Sequence, residues 1–160
     1  MQPNTQASPL AANDLDPPEF HIASLNHQIR SLMDDVLRRH GLKLVEWRVL
    51  QSLLNSPALT ICDLARLAVI ERTVASRLID RLAARGLVTK ESLKNDRRYA
   101  QVFLTQDGGD VLRRADADVE QARSRLFAGL SADDMDILLG LVKRLRVNAS
   151  SAQIEGQFSR

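Results

Sequence analysis

Apolar residues return at helical spacing through most of this chain and alternate in only one short stretch. From Glu19, the positions Ile22, Leu25, Ile29, Leu32, Met33 and Val36 mark one face. That period predicts a helix ending near His40-Gly41, where glycine suits the C-cap. Residues 44–54 predict a second helix with Val45, Val49, Leu50, Leu53 and Leu54 inward, stopped by Asn55-Ser56-Pro57. Thr60-Ile61-Cys62-Asp63 has the spacing of a capping box, in which the threonine hydroxyl and the acid three residues on satisfy each other's free N–H groups. It opens a short helix carrying Leu64, Ala65 and Leu67. A fourth helix over about residues 71–84 is expected to bury Val74, Leu78, Ile79 and Leu82 and to stop at Arg85-Gly86. Two short helices joined by a few residues predict a helix-turn-helix.

The period then changes. Leu87-Val88-Thr89-Lys90-Glu91 reads as a strand, and residues 99–104 alternate, with Ala100, Val102 and Leu104 on one face. Between them, residues 93–98 form a polar, cationic hairpin tip, so the hairpin is a wing. Thr105 is expected to cap a helix to about Ala128, with Gly108-Gly109 weakening its first turn. Ser131 caps a last helix with Met135, Leu138, Leu139, Leu141, Val142 and Leu145 on a broad apolar surface, and from Asn148 a loose tail is expected. The fold class is mainly α with a small antiparallel β wing, in the order α-α-α-α-β-β-α-α. Its parts are a flexible arm (1–18), a first dimerisation helix (19–43), a winged helix-turn-helix (44–104), C-terminal dimerisation helices (105–148) and a flexible tail (149–160). The dimer expectation rests on the wide apolar faces of the first and last helices, which so small a central module cannot cover.

Composition narrows the class. The chain has 160 residues, 44% hydrophobic and 26% charged, which suits one domain with a true core. No apolar run approaches a membrane span, and residues 1–18 lack the basic start and apolar centre of a targeting peptide, so a cytoplasmic protein is expected. A single cysteine excludes an internal disulfide, and three histidines without a His-x-x-x-His pair make a metal site unexpected. No phosphate loop, serine elbow or catalytic carboxylate pair appears, so neither an enzyme nor a cofactor is expected.

Charge is uneven. Between Arg66 and Arg98 lie nine basic and four acidic residues, a local balance of +5 in a chain of net charge +2. A basic segment within a mildly acidic body points to a polyanionic partner on one face. On the fourth helix, Arg72, Thr73, Ser76, Arg77 and Arg81 lie opposite the apolar positions. An arginine there can give two hydrogen bonds to guanine, and serine or threonine can meet a base edge or a thymine methyl. Helix-start N–H groups suit phosphates, and Thr60 adds a hydroxyl. At the wing tip, Lys94, Arg97 and Arg98 are extended cations suited to the electronegative minor groove, while Asp96 is placed to hold a neighbouring arginine in a carboxylate–guanidinium fork.

The run Gly41-Leu42, Trp47-Arg48-Val49-Leu50, Asp63-Leu64-Ala65, Arg77-Leu78-Ile79-Asp80-Arg81-Leu82 and Arg85-Gly86-Leu87-Val88 resembles the MarR family of bacterial transcription regulators. Its most specific part is Asp96-Arg97-Arg98 followed by Leu104-Thr105, similar to that family's Asp-x-Arg wing motif. The resemblance covers about residues 20–147. It implies a homodimer with interlocking terminal helices, a fourth helix in the major groove and a wing arginine, here Arg98, in the minor groove of a pseudo-palindromic operator, with Asp96 as the orienting acid. It also implies a repressor released by a small aromatic or phenolic carboxylate. The residues expected to line that effector site are His21, Ser24, His27, Arg30 and Trp47. Trp47 also reads as ordinary core, and the histidines as exposed or seam residues. The departure from the family pattern is Leu67-Ala68-Val69-Ile70-Glu71, where relatives often have a glycine and a small polar residue. Glu71 at the start of a DNA-facing helix is electrostatically odd.

Two other readings remain open at this level. One is a winged-helix protein-interaction module that no longer reads DNA; the cationic wing tip argues against it, because such binding has no need of Arg97 and Arg98. The other is a redox-responsive regulator working through Cys62, expected to be a partly buried residue in the first turn of the third helix.

Overall fold

A computed structural model of the chain describes the backbone of residues 16–93 and 96–158, and the side chains of residues 16–91 and 100–151. Two compact units are distinguished, residues 1–122 and 123–160. The first contains α1 (Pro18–Arg38), α2 (Leu44–Asn55), β1 (Leu59–Thr60), α3 (Ile61–Ala68), α4 (Arg72–Ala84), β2 (Val88–Leu93), β3 (Asp96–Leu104) and most of α5 (Gln106–Leu126). The second holds the end of α5 and α6 (Ala132–Phe158). The expected order of helices and wing strands is observed, with one addition. β1, too short for any period to mark it, pairs through Leu59 with Val102 and makes a three-stranded antiparallel sheet in the order β1-β3-β2.

The core of the first unit sits where α1, α2, α4 and α5 converge on the sheet. Leu37, Leu50, Leu64, Ile79, Leu82 and Leu112 are fully enclosed there, each side chain contributing about 1.5–3 kcal/mol by leaving water. Two inward assignments are corrected. Leu54 and Val74 are exposed at 51% and 49%, because Leu53 already fills the inward position on α2, and Ala75, not Val74, faces the core from α4. Ile22 and Leu25 on α1 are likewise exposed, and only the C-terminal half of that helix enters the core.

Helix ends follow the sequence closely. Thr60 and Asp63 form the capping box of α3: Thr60 Oγ1 accepts from the Asp63 N–H, and the Thr60 N–H donates to Asp63 Oδ2. Gly41 and Gly86 both adopt the left-handed conformation (φ 66° and 71°) that lets a helix end in a tight turn without a Cβ clash. At the end of α3 the same conformation falls on Val69 (φ 56°, ψ 51°), a β-branched residue for which it costs of order 1–3 kcal/mol. Val69 lies within the stretch Leu67–Glu71, where the sequence departs from the pattern of the family it resembles.

Gly108 serves close approach rather than turning. Thr105 Oγ1 donates to the Gly86 carbonyl at 2.7 Å and accepts the Gly108 N–H at 3.0 Å, capping α5 as expected. This draws the first turn of α5 so near the chain that a Cβ on Gly108 would lie 2.1 Å from the Leu87 carbonyl oxygen. Glycine there is a packing requirement of the junction, which offsets its poor helix propensity.

In the second unit, Ser131 caps α6 as expected: its hydroxyl donates to Asp134 at 2.6 Å and accepts the Asp134 N–H at 3.2 Å. The helix runs through Phe158, past Asn148, where a loose tail was expected. The Ser150 and Ser151 hydroxyls bond back to the Arg146 and Val147 carbonyls, so these polar residues continue the helix. Ile137, Leu139, Leu141, Leu145 and Val147 are half or more exposed, or nearly so.

Gly108→Ala is expected to destabilise the protein by roughly 1–3 kcal/mol in urea unfolding. Gly109→Ala, whose Cβ would meet only ordinary contacts at 3.6 Å and beyond, is expected to stabilise it by up to about 1 kcal/mol. Equal effects at the two positions would contradict the close-approach assignment.

Candidate nucleic-acid interface

The helix-turn-helix presents its polar surface through α4. Ala75, Leu78, Ile79 and Leu82 turn inward, which leaves Arg72, Thr73, Arg77 and Arg81 exposed and Ser76 half-buried. Among the described residues, Arg72, Arg77 and Arg81 have no hydrogen-bond or ion-pair partner, so their donors face solvent. Asp80, the one acid on this face, is matched by Lys90 of β2, whose Nζ lies 2.5 Å from its Oδ1. Glu71 is the N-cap residue, and its side chain makes no capping bond. A carboxylate there is favoured by the positive end of the helix dipole, which gives this acid a structural reason at the head of a cationic helix.

The helix is held from behind. Arg85, just past its end, donates to Glu46 Oε2 at 3.2 Å and to the Gly41 carbonyl at 2.6 Å. Glu46 is buried and also accepts the Lys43 N–H at the start of α2. Removing Arg85 would leave the buried Glu46 carboxylate without its cation, while Arg85 itself stays partly in solvent; the pair ties the end of α4 to the α1–α2 turn. Arg48 of α2 donates to the Leu67 carbonyl at 3.2 Å and steadies the last turn of α3.

Thr60 sits at the start of α3, with its hydroxyl proton engaged by Asp63 at 2.6 Å. A phosphate contact from that hydroxyl would cost this bond. The hydroxyl and then the backbone N–H of Thr60 hold the Asp63 carboxyl below its ordinary pKa, with Arg66 beside it adding to the effect. Cys62 is exposed in this turn, where a partly buried position was expected.

In the wing, β2 and β3 pair from Val88–Leu104 out to Leu93–Asp96, with a register shift between Ser92 and Leu93. Lys94 lies outside the described residues. Asp96, Arg97 and Arg98 are the first residues of β3 by backbone; the arginine fork expected of Asp96 concerns side chains outside those described.

The residues expected to line an effector site are not brought together as one pocket. His27 and Arg30 share a groove along α1 with Ser31, Asp34, Asp35 and Arg38. Its two carboxylates make it a mixed rather than a cationic surface. Ser24 and His21 lie about one and two turns before His27 on α1, half-buried. Trp47 packs against the core, and its indole N–H donates to Asp116 of α5 at 3.1 Å, an acceptor it shares with Gln51. Asp116 was not marked by any sequence pattern. His40 was not singled out either; it bonds Asp118 of α5 at 2.9 Å, and this contact foremost, with Arg39 nearby, lowers the Asp118 pKa. No group of residues suited to hold a metal ion occurs among the described residues.

A helix-turn-helix with an exposed cationic second helix, followed at once by an antiparallel hairpin, defines a winged-helix DNA-binding protein. The MarR family model matches residues 40–98, and the homoprotocatechuate degradative operon repressor of Escherichia coli is 30% identical over 118 residues, 74% of this chain and 80% of that protein. The chain belongs to the MarR family of winged-helix transcriptional regulators. Solved structures share the fold. An operator-DNA complex of a mutant MarR from Escherichia coli aligns with a TM-score of 0.73 at 23% identity, covering 79% of this chain and 91% of that one. Bordetella bronchiseptica BpsR, described by its regulation by 6-hydroxynicotinic acid, aligns with a TM-score of 0.73 at 21% identity, covering 80% and 97%. No described helix is long and apolar enough to cross a membrane.

Because the folded-state pKa of Asp63 is depressed, the cap contributes fully above the unfolded carboxyl's value and loses that contribution as pH falls through the folded one. Asp63→Asn is therefore expected to shrink the drop in urea midpoint between about pH 6 and about pH 3. A drop as large as in the unsubstituted protein would show that the cap carries no pH-dependent stability.

Proposed function

We propose that this chain is a homodimeric transcriptional repressor that grips a pseudo-palindromic duplex in the cytoplasm and is released by a small aromatic or phenolic carboxylate. The observation that carries the DNA reading is the exposed set Arg72, Thr73, Arg77 and Arg81 on α4, with Ser76 half-buried beside them, directly followed in the chain by the β2–β3 hairpin; Lys94, Asp96, Arg97 and Arg98 fall within that hairpin's sequence. In this reading the first turns of α4 enter the major groove, with Arg77 paired to a guanine edge, while Arg98 lies in the flanking minor groove. Thr60 and the N-terminal end of α3 sit against the phosphate backbone.

Dimerisation is supported by apolar side chains left in solvent. Phe20, Ile22 and Leu25 on α1 and the leucine-rich surface of α6 are exposed in a single copy. Burying such faces against a second copy gives the two-fold symmetry that paired half-sites require. The effector class is supported by the company the chain keeps. A relative at 30% identity is named as a homoprotocatechuate degradative operon repressor, and the DNA binding of BpsR is described as regulated by 6-hydroxynicotinic acid, so both names carry an aromatic acid. His21, Ser24, His27, Arg30 and Trp47 are the residues we assign to that ligand; His27 and Arg30, which share a groove, are the pair best placed to meet its carboxylate.

The test is selection of a binding duplex from a randomised pool with the full-length protein, followed by titration against salt and a panel of aromatic acids. Arg77→Ala is expected to weaken the selected duplex by about 1–3 kcal/mol and to relax the preference at one base pair. Retained preference at every position would exclude Arg77 as a reader. Arg98→Ala is expected to weaken selected and random duplexes alike and to reduce the salt slope by about one; an unaltered slope would remove it from the interface.

A further inference from the structure

Val74 stands out on the face of α4. It is the third residue of the helix, its side chain is half exposed, and Ala75 takes the inward place beside it. At 100° per residue it shares a flank with Arg77 and Arg81, three and seven positions on, so it belongs to the surface that carries the cations. On its other side are Val69, 80% exposed in its left-handed conformation, and Ile70; with Ala65, Arg66 and Glu71, these two and Val74 itself line a shallow cleft at the turn between α3 and α4. A branched alkyl group gains nothing from phosphates, and its χ1 is nearly fixed in a helix, so it presents a rigid apolar knob.

We infer that Val74 is a specificity-determining residue that reads thymine through its C5-methyl group. This rests on the proposed DNA-binding reading and extends it. Among the groups that the base pairs display in the major groove, the thymine methyl is the one apolar feature; the rest are hydrogen-bond donors and acceptors. Packing Val74 against that methyl removes both from water. A cytosine there would present a C5–H in place of the methyl and forgo that apolar contact. Arg77, a turn further along, then reads a neighbouring base pair by hydrogen bonding. The two residues divide the work between an apolar contact and a polar one.

The test uses the full-length protein and a duplex selected by it from a randomised pool, with each thymine of one half-site replaced in turn by deoxyuridine, which lacks only the methyl. One replacement is expected to weaken binding roughly fourfold, the ratio that burying a single methyl or methylene group gives. Val74→Ala is expected to bind the thymine and deoxyuridine versions of that position equally, with its response at other positions unchanged. Val74→Thr, which keeps a methyl at the same branch, is expected to keep the preference. A thymine preference that survives Val74→Ala at every position, or no preference at any position in the unsubstituted protein, overturns the assignment while leaving DNA binding intact. A pool in which no duplex is enriched removes the DNA reading itself and this assignment with it.

Discussion

The structure turns on the junction where α4 ends and α5 begins. Leu87, the residue after the turn that closes α4, accepts the Thr105 N–H on its carbonyl oxygen at 3.2 Å, and the Thr105 hydroxyl in turn donates to the Gly86 carbonyl and caps α5. The two feet of the wing are thereby pinned together at the base of α4, with Gly108 pressed against the crossing. A recognition helix and a wing can meet one duplex together only if the angle between them is fixed. Here backbone groups and two small residues hold the base of the wing, and the Lys90–Asp80 pair joins β2 to α4 further out.

The charge pattern divides along the same lines. Of the nine cations between Arg66 and Arg98, three are engaged in holding the fold: Arg66 with Asp63, Arg85 with buried Glu46, and Lys90 with Asp80. Arg72, Arg77 and Arg81 remain on the outer face of α4, and Arg97 and Arg98 belong by backbone to the start of β3; Lys94 lies outside the described residues. The local excess of positive charge therefore comes from α4 and from the hairpin segment that follows it in the chain. The acids of α4 are placed where they do least harm, one at the positive end of the helix dipole and one against a lysine.

Much of this was legible in the residues. Capping signals at Thr60, Thr105 and Ser131 and stops at Gly41 and Gly86 set the helix ends, because local hydrogen bonding and φ preference decide them. What escaped depends on neighbours distant in sequence. β1 is two residues long and exists only because β3 lies alongside; Val74 looks like a core residue until Ala75 takes its place. Gly108 reads as a weak point of a helix until Leu87 is seen behind it. The acceptors for Trp47 and His40 sit on α5, some seventy residues away, and no spacing rule reaches so far. The continuation of α6 beyond Asn148 was missed because serines that bond back to helix carbonyls look, in sequence, like loop.

The central claim is that α4 enters a major groove while the wing lies in the minor groove beside it. Methylation protection by dimethyl sulfate separates the two, since the reagent attacks guanine N7 in the major groove and adenine N3 in the minor groove. On a duplex selected by the full-length protein, guanine N7 should be shielded in two segments about one helical turn apart, with adenine N3 shielded on their flanks. Protection confined to one groove, or none under conditions of saturating binding, would contradict the account.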